Sequence, residues 1–298
     1  MLDSSVGEGP IDLTVLLPAF NEAQALAQVI ADVRTALGER ELPWEILVID
    51  DGSSDATASI ATQAGVRVIR RTERGGYGAT VKRGLVESRG QWVALLDADG
   101  SYPPAQLPPL LAHIPEYEQV NGARQSERGT QPWLRALAKG AIRRLAQWIS
   151  GRTIPDLNTG MKVLNREIAM QYLWVIPQGF SCSTSLTLAY LCNGHAVKYV
   201  PIEYRPRLGH SKFHPFYDTA QYCLTILRIM TYFRPLRVFL PLSLALGGAA
   251  LVKGLYDVWR FDSGLSDSDV ILATGAVLVF ALGLLADLIV TRGGGSRG

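Results

Sequence analysis

The chain is poor in cysteine, with three in 298 residues: Cys182, Cys192 and Cys223. Their spacing fits neither a zinc site nor a redox pair, so neither chemistry is expected. Reduced thiols in a cytosolic compartment are the expected state. An excess of one charge is also missing. Lys and Arg number 29 against 27 Asp and Glu, a formal charge of +2. That balance excludes the strong whole-molecule field that gathers nucleic acid. The opening "MLDSSVGEGP" is polar and acidic, so no signal peptide is expected. The segment "RGGYGATVKRG" lacks a GK[ST] element and does not follow the first strand, which argues against a phosphate loop. Its small residues instead suit a helix that approaches a sheet closely. There is no internal repeat and no low-complexity domain. The terminal "GGGSRG" reads as a flexible end.

Long hydrophobic runs, by contrast, are present. Leu236 to Leu255 reads "LRVFLPLSLALGGAALVKGL", and Val270 to Val290 reads "VILATGAVLVFALGLLADLIV". Each has about the ~20 residues that cross a bilayer core. Two such runs in succession after a charged domain favour membrane spans over a pair of buried core helices. The connecting "YDVWRFDSGLSDSD" carries four aspartates and one arginine, while Arg228, Arg234, Arg237 and Arg292 flank the runs on the other side. That asymmetry places the N-terminal domain and both termini in the cytoplasm.

Before those runs, strands alternate with helices. "DLTVLLPAF" is a strand, followed by a helix from about Glu22 to Leu37. "WEILVIDDGSSD" is a strand ending in Asp50 and Asp51, and Asp55 can cap the helix "ATASIATQAG". "VRVIRR", the helix of "GGYGATVKRGLVESRG" and the strand "QWVALLDADG" complete the series. Unbroken apolar strands joined by helices predict a parallel sheet covered on both faces. Ligands of such sheets bind beyond the carboxyl ends of the strands. From about Val120 the pattern changes. "NGARQSERGTQP" reads as a basic loop before an amphipathic helix. A loop and short strand, a helix and a strand follow, then a long apolar helix that either lies along a bilayer or belongs to a core.

The strand "WVALLDADG" ends in paired carboxylates, Asp97 and Asp99. Side chains two apart in an extended chain point the same way. Both can face one divalent cation, and Mg²⁺ or Mn²⁺ suits such an all-oxygen site. The pair could equally cap its own turn. Asp51 could accept hydrogen bonds from a base or ribose, or cap the turn before "SSD". Arg124, Arg128, Arg135, Lys139, Arg205, Arg207 and Lys212 fall in predicted loops and helix starts. Singly they suit a solvated surface; as a group beside a carboxylate pair they suit phosphates.

"LLPAFNE", "VIDDGSSDAT", "GGYGATVKRGL", "LLDADGSYPP", "DLNTGMKVLNR" and "RLGHSK" occur in this order. Together they resemble glycosyltransferase family 2, most of all its polyprenyl-phosphate sugar transferases of the dolichyl-phosphate mannose synthase kind and the bacterial two-span branch. The resemblance covers about Leu13 to Leu236. It implies an α/β GT-A (Rossmann-like) domain, a nucleotide-diphosphate sugar donor of the GDP-mannose or UDP-glucose type and an inverting transfer. It implies a metal cofactor, Mg²⁺ or Mn²⁺, a polyprenyl phosphate acceptor and a bilayer, but no nucleic acid. Homo-oligomerisation is left open.

Position by position, Pro18, Phe20 and Glu22 match the motif that holds the nucleotide end. Asp51 matches the aspartate at the base. Asp97 and Asp99 match the metal aspartates, with Ala98 near the ribose. Arg124 and Arg128 match basic residues of the lipid-phosphate loop. Arg207 and Lys212 match a stretch near the donor and acceptor phosphates, where they would assist catalysis. Asp156 matches an acidic position that some relatives use in the site. Two features depart from the pattern. Ser101 stands where relatives usually carry a glutamine, so the third metal ligand is Ser101, water or nothing. No Glu-Asp dipeptide occurs, although members that activate a neutral sugar hydroxyl usually carry one. The acceptor is therefore expected to need no strong base.

The expected organisation is a flexible N-terminus (1–11), a cytoplasmic GT-A domain (12–213), a juxtamembrane helix (214–235), spans at 236–256 and 270–290 around an extracytoplasmic loop (257–269), and a cytoplasmic tail (291–298). Transfer to a glycan or glycerolipid, and a non-catalytic nucleotide-binding scaffold, are the rival expectations.

Overall fold

The computed structural model describes residues 11–38, 42–125, 133–179, 181–205, 215–261 and 266–295. The chain forms two compact units, Met1–Thr225 and Ile226–Gly298.

In the first unit, β1 (Leu13–Ala19) leads to α1 (Leu26–Leu37), β2 (Trp44–Asp50), α2 (Thr57–Gln63), β3 (Arg67–Arg70), α3 (Tyr77–Glu87) and β4 (Trp92–Leu95). This is the expected alternation. β1 pairs in parallel with β2 and β4, and β2 with β3. β1 is buried along its whole length, as a strand covered on both faces must be. α1 buries Leu26, Val29, Ile30, Val33 and Leu37, one face at helical spacing. It starts four residues later than the sequence predicts. Asn21 takes a left-handed φ of 54° and Glu22 closes a turn onto Ala25, so the helix cannot begin there. α3 approaches β1 through Gly84, where a Cβ would stand 2.3 Å from a methyl of Leu16. That is the close approach its small residues suggest.

The first four strands thus form the expected parallel sheet; the second half of this unit adds antiparallel pairing to it. It contains α4 (Leu107–Leu111), β5 (Gln119–Arg124), α5 (Trp133–Ser150), β6 (Lys162–Asn165), α6 (Arg166–Gln171), α7 (Cys182–Cys192) and β7 (Val197–Ile202). The seven strands run in the order β3-β2-β1-β4-β6-β5-β7. β6 lies antiparallel to both β4 and β5, and β5 is parallel to β7. The sheet is mixed. Residues 121–124, expected as loop, belong to β5. The strand escapes a hydrophobicity pattern because Gln119 and Asn121 are fully buried polar residues. Gln119 donates to Asn121 Oδ1 at 2.8 Å and to Thr187 Oγ1 of α7 at 2.9 Å, which satisfies part of their demand.

α8 (Pro215–Phe233) leads from the first unit into the second, which also holds α9 (Leu236–Phe261) and α10 (Asp267–Gly295). The last two are longer than the apolar runs alone, since their polar ends continue the helices. They pack against each other. Ser243 Oγ donates to the carbonyl of Ala276 at 2.9 Å, and a Cβ at Gly283 would stand 2.6 Å from Phe239. Small residues at such crossings let helices approach closely. Their apolar windows are only 11% and 17% buried.

Candidate active site

Strand order reverses at β1: the chain moves to β2 on one side and to β4 on the other. Backbone diverging from such a point leaves a crevice at the carboxyl ends of the strands. A cleft of about 210 Å³ lies there. Its walls come from residues following β1 (Phe20, Glu22), β2 (Asp51) and β4 (Asp97, Ala98, Asp99), with Arg74, Tyr77, Tyr102, Arg124 and Gly160. Pro18, the penultimate residue of β1, also lines it. Seven residues matched to the family's nucleotide and metal positions thus meet on one surface, and Arg124, from a later strand, joins them on the same cleft.

The loops that carry these groups are cross-tied. Asn21 Oδ1 accepts the backbone N–H of Ser54 at 2.9 Å, and Ser53 Oγ accepts that of Asn21 at 2.9 Å. Asp55 accepts the N–H groups of Thr57 and Ala23 at 3.0 and 3.2 Å. Burial pushes its carboxyl up, yet the Thr57 hydroxyl, which also donates to it, together with these N–H groups outweighs that and holds the carboxyl below its usual range. The guanidinium of Arg74 stacks 4.3 Å over the ring of Phe20.

Asp51 is 3% exposed, and both its oxygens hold backbone: Oδ1 accepts from Gly75 N at 2.9 Å and Oδ2 from Gly76 N at 2.8 Å. Arg71 stands 3.5 Å from Oδ1. The carboxylate latches the start of α3 to the end of β2, a role that its local sequence does not announce.

Asp97 and Asp99 share the wall beyond β4, in the turn that follows the strand rather than in the strand itself. Each takes a hydroxyl donor: Tyr77 Oη reaches Asp97 Oδ1 at 2.9 Å, and Ser101 Oγ reaches Asp99 Oδ1 at 2.5 Å. The Ser101 backbone N–H also donates to that oxygen at 3.0 Å. Ser101 is fully buried and is not among the residues lining the cleft. In this arrangement its hydroxyl orients Asp99 rather than facing the cleft as a metal ligand. A Cβ on Gly160 would come 2.2 Å from Asp97 Oδ2, so only glycine lets the 156–160 loop close over that carboxylate.

No group of three or more His, Cys, Asp or Glu side chains suited to a metal occurs among the described residues. Two hard carboxylates on a cleft fit a cation that completes its shell with water and substrate phosphates, which is the habit of Mg²⁺. They do not fit a closed protein cage.

Asp156 is bound by Arg124, with Nε to Oδ2 at 2.7 Å and Nη2 to Oδ1 at 2.9 Å. Burial raises its pKa, but the hydrogen bonds and charge of Arg124 prevail and hold it low. A carboxylate kept ionised by a two-point guanidinium contact is a poor proton acceptor. Asp156 therefore positions Arg124, and Arg124 also stacks 5.3 Å over Tyr204. Tyr204 in turn meets Tyr102 edge-on at 5.1 Å, and Tyr102 accepts the N–H of Gly160 at 2.8 Å. These aromatics carried no signal as site residues in the sequence. The one hint was Tyr102, directly after the carboxylate motif. Arg128, Arg207 and Lys212 lie outside the described residues, as do the side chains of Arg135 and Lys139. Arg205, at the end of β7, donates its backbone N–H to the carbonyl of Ser101 at 2.9 Å.

Lys162 was unmarked in the sequence. It is fully buried, and its Nζ donates to the Ser183 carbonyl and to Thr187 Oγ1, each at 3.0 Å. Burial brings its pKa down to about 8, against the opposing pull of Cys182, Asp156 and Asp97. Burial likewise pushes the Cys182 thiol up to about 12, so this cysteine is unreactive.

Comparison with known proteins agrees with this geometry. Residues 14–173 match the model of glycosyl transferase family 2, and residues 234–291 match the GtrB C-terminal hairpin. The dolichyl-phosphate hexose transferase of Haloferax volcanii is 34% identical over 221 residues, 73% of this chain and 93% of that protein. The undecaprenyl-phosphate 4-deoxy-4-formamido-L-arabinose transferase of an Enterobacter species is 28% identical over 297 residues, 93% of this chain and 88% of that one. Among solved structures, the glucosyl-3-phosphoglycerate synthase of Mycobacterium tuberculosis, in complex with Mn²⁺, UDP-glucose and phosphoglyceric acid, matches with a TM-score of 0.58 at 22% identity. That match covers 74% of this chain and 79% of that one. This last likeness concerns the fold, a GT-A-like α/β sheet. The chain belongs to glycosyl transferase family 2: it is a membrane-associated glycosyltransferase, with a catalytic domain followed by two long apolar helices.

Proposed function

We propose that the enzyme transfers a hexose from a nucleotide-diphosphate sugar to a polyprenyl phosphate, with inversion, at the cytoplasmic face of the membrane. The observation that carries this is the cleft at the strand reversal. It gathers the nucleotide-side residues, the carboxylate pair and Arg124 in a chain that also carries an apolar hairpin. The names of the polyprenyl-phosphate relatives support the acceptor. The placement of arginines and aspartates about the hairpin supports the sidedness.

Asp97 and Asp99 would hold Mg²⁺ or Mn²⁺, which supplies charge neutralisation for the departing nucleoside diphosphate. Tyr77 and Ser101 hold the two carboxylates in place. Phe20 and Arg74 form a face beside the nucleotide end. Arg124, oriented by Asp156 and Tyr204, offers guanidinium hydrogens to an acceptor phosphate. Arg128, Arg207 and Lys212 would add cations around the two anionic substrates. The lipid phosphate is its own nucleophile. Its second pKa is near ~6, so it is largely dianionic at neutral pH and needs no base. Attack on the anomeric carbon from the face opposite the diphosphate inverts the configuration.

The test uses the purified chain in detergent with undecaprenyl phosphate and mixed UDP- and GDP-sugars. Mass spectrometry should find one hexosyl-phospholipid, formed with Mn²⁺ and not in EDTA. Donor hydrolysis alone, or transfer only to neutral lipids, overturns the acceptor. For sidedness, Ser268→Cys and Thr291→Cys should label from opposite sides of the membrane, and same-side labelling refutes it.

A further inference from the structure

We propose that Tyr77 is a positioning residue that sets the Asp97 carboxylate for a divalent cation and couples it to the Asp51 latch. The inference rests on the metal site proposed above. Its ground is a rigid three-residue frame at the start of α3. Gly75 and Gly76 donate their N–H groups to the two oxygens of Asp51 at 2.9 and 2.8 Å. Gly78 donates its N–H to the Gln178 carbonyl at 2.8 Å, and a Cβ there would stand 1.8 Å from the Pro177 carbonyl oxygen. Tyr77 lies between these two ties, so its backbone has no room to drift.

From that frame its hydroxyl reaches Asp97 Oδ1 at 2.9 Å. A phenol is protonated at neutral pH, so Tyr77 is the donor and the carboxylate the acceptor. On the other side of the carboxylate the backbone of Gly160 comes close to Oδ2, where a Cβ would stand at 2.2 Å. Asp97 thus has a fixed donor on one oxygen and close backbone beside the other, while the carboxylate still lines the cleft. An O–H donated to one carboxylate oxygen fixes the rotation of the group and so aims its remaining lone pairs. Groups behind metal ligands act this way, and their loss commonly weakens metal binding by roughly ten- to a hundredfold.

The frame also makes a link. The nucleotide-side carboxylate Asp51 and the metal-side carboxylate Asp97 are tied to consecutive residues, Gly75 through Tyr77. A nucleotide contact at Asp51 and a cation at Asp97 therefore bear on the same short frame. Linkage then requires that nucleotide and metal change each other's affinity by the same factor.

The experiment measures Mn²⁺ binding to the full chain in detergent from the free-ion EPR signal, with and without UDP or GDP. Nucleotide affinity is measured separately in EDTA. Tyr77→Phe keeps the ring and removes only the hydroxyl. It should weaken Mn²⁺ binding by roughly ten- to a hundredfold while nucleotide affinity in EDTA changes by less than about twofold. Excess Mn²⁺ should restore turnover. The cooperativity between nucleotide and Mn²⁺ should shrink in the variant. Wild-type Mn²⁺ affinity in Tyr77→Phe overturns the inference. Joint loss of Mn²⁺ and nucleotide binding also overturns it, since that marks a merely structural residue. A wild-type chain that binds the nucleotide but no Mn²⁺ refutes the proposed metal site itself, and this inference with it.

Discussion

In the catalytic unit Leu13, Leu16 and Leu17 are fully buried; in the hairpin Leu251, Leu255 and Ile289 are 65%, 65% and 72% exposed. Trp259 is 82% exposed. The residue types are the same and their fates are opposite. Water drives the first set into a core at about 25 cal/mol per Å². The second set forms a continuous apolar surface on helices long enough to cross a bilayer, and lipid is its natural solvent. Polar groups divide in the complementary way. The catalytic unit buries them one by one: Gln119, Asn121 and Lys162 on its strands, and Ser183, Thr184, Ser185 and Thr187 on α7. The hairpin gathers them at one end, where Lys253 donates to Asp257, Ser266 and Asp269 at 2.6, 2.8 and 2.9 Å. A buried polar group thus needs a specific partner in either solvent, whereas an apolar group needs only the right surroundings.

Substitutions can sharpen this contrast between a unit that carries chemistry and one that carries attachment. The largest effect is expected at the carboxylate pair. Asp99→Asn should keep the fold and lower transfer by roughly a thousandfold, because a charge aimed at the diphosphate site is lost. Turnover under Mn²⁺ titration checks it, and near-normal rates would refute the metal role.

Next is Lys162, whose cost lies in stability. The unfolded side chain titrates near 10.5 and the folded one near 8. Below pH 8 both states carry the proton and the burial penalty is complete. Between the two values the unfolded state holds more protons, so stability rises with pH. A gap of that size corresponds to about 3 kcal/mol. Any stability advantage of Lys162→Met over wild type should therefore shrink by that order from pH 8 to 10.5. Melting temperatures of both proteins across this range give the comparison, and parallel pH profiles would contradict it.

Asp156→Asn is expected to be milder, a loss of roughly ten- to a hundredfold, because Arg124 keeps its place over Tyr204 but loses one ionic partner. The remaining rate should rise to a plateau above the acceptor's pKa. A variant as inactive as Asp99→Asn, with a wild-type rate that follows an enzyme group, would instead make Asp156 the base. The smallest effect belongs to the hairpin. Lys253→Met should change turnover by less than about threefold while lowering the melting temperature, since it strips two carboxylates of their cation. A large loss of turnover at unchanged stability would show that the hairpin takes part in chemistry.

Much of this was legible in the chain itself. Strand and helix alternation, acids at the ends of strands, two apolar runs and the ordered motifs are local patterns, and local patterns depend on periods of two or 3.6 residues. They placed the cleft at the right strand ends and put Asp51, Asp97 and Asp99 on it. Tertiary structure decided the rest. β6 enters between β4 and β5 against the direction of β4, a choice set by packing across residues some seventy apart in sequence. β5 was hidden because its inward positions are polar and find their partners on α7. The same holds for the site. What an aspartate does depends on which donor reaches it: Gly75 and Gly76 for Asp51, Tyr77 for Asp97, Ser101 for Asp99, Arg124 for Asp156. Four of these five ties span 20 to 32 residues of chain. Sequence determined which chemical groups stand at the strand ends, because that is a matter of local spacing; the fold determined which are held and which hold, because hydrogen bonds select partners by distance and angle in space.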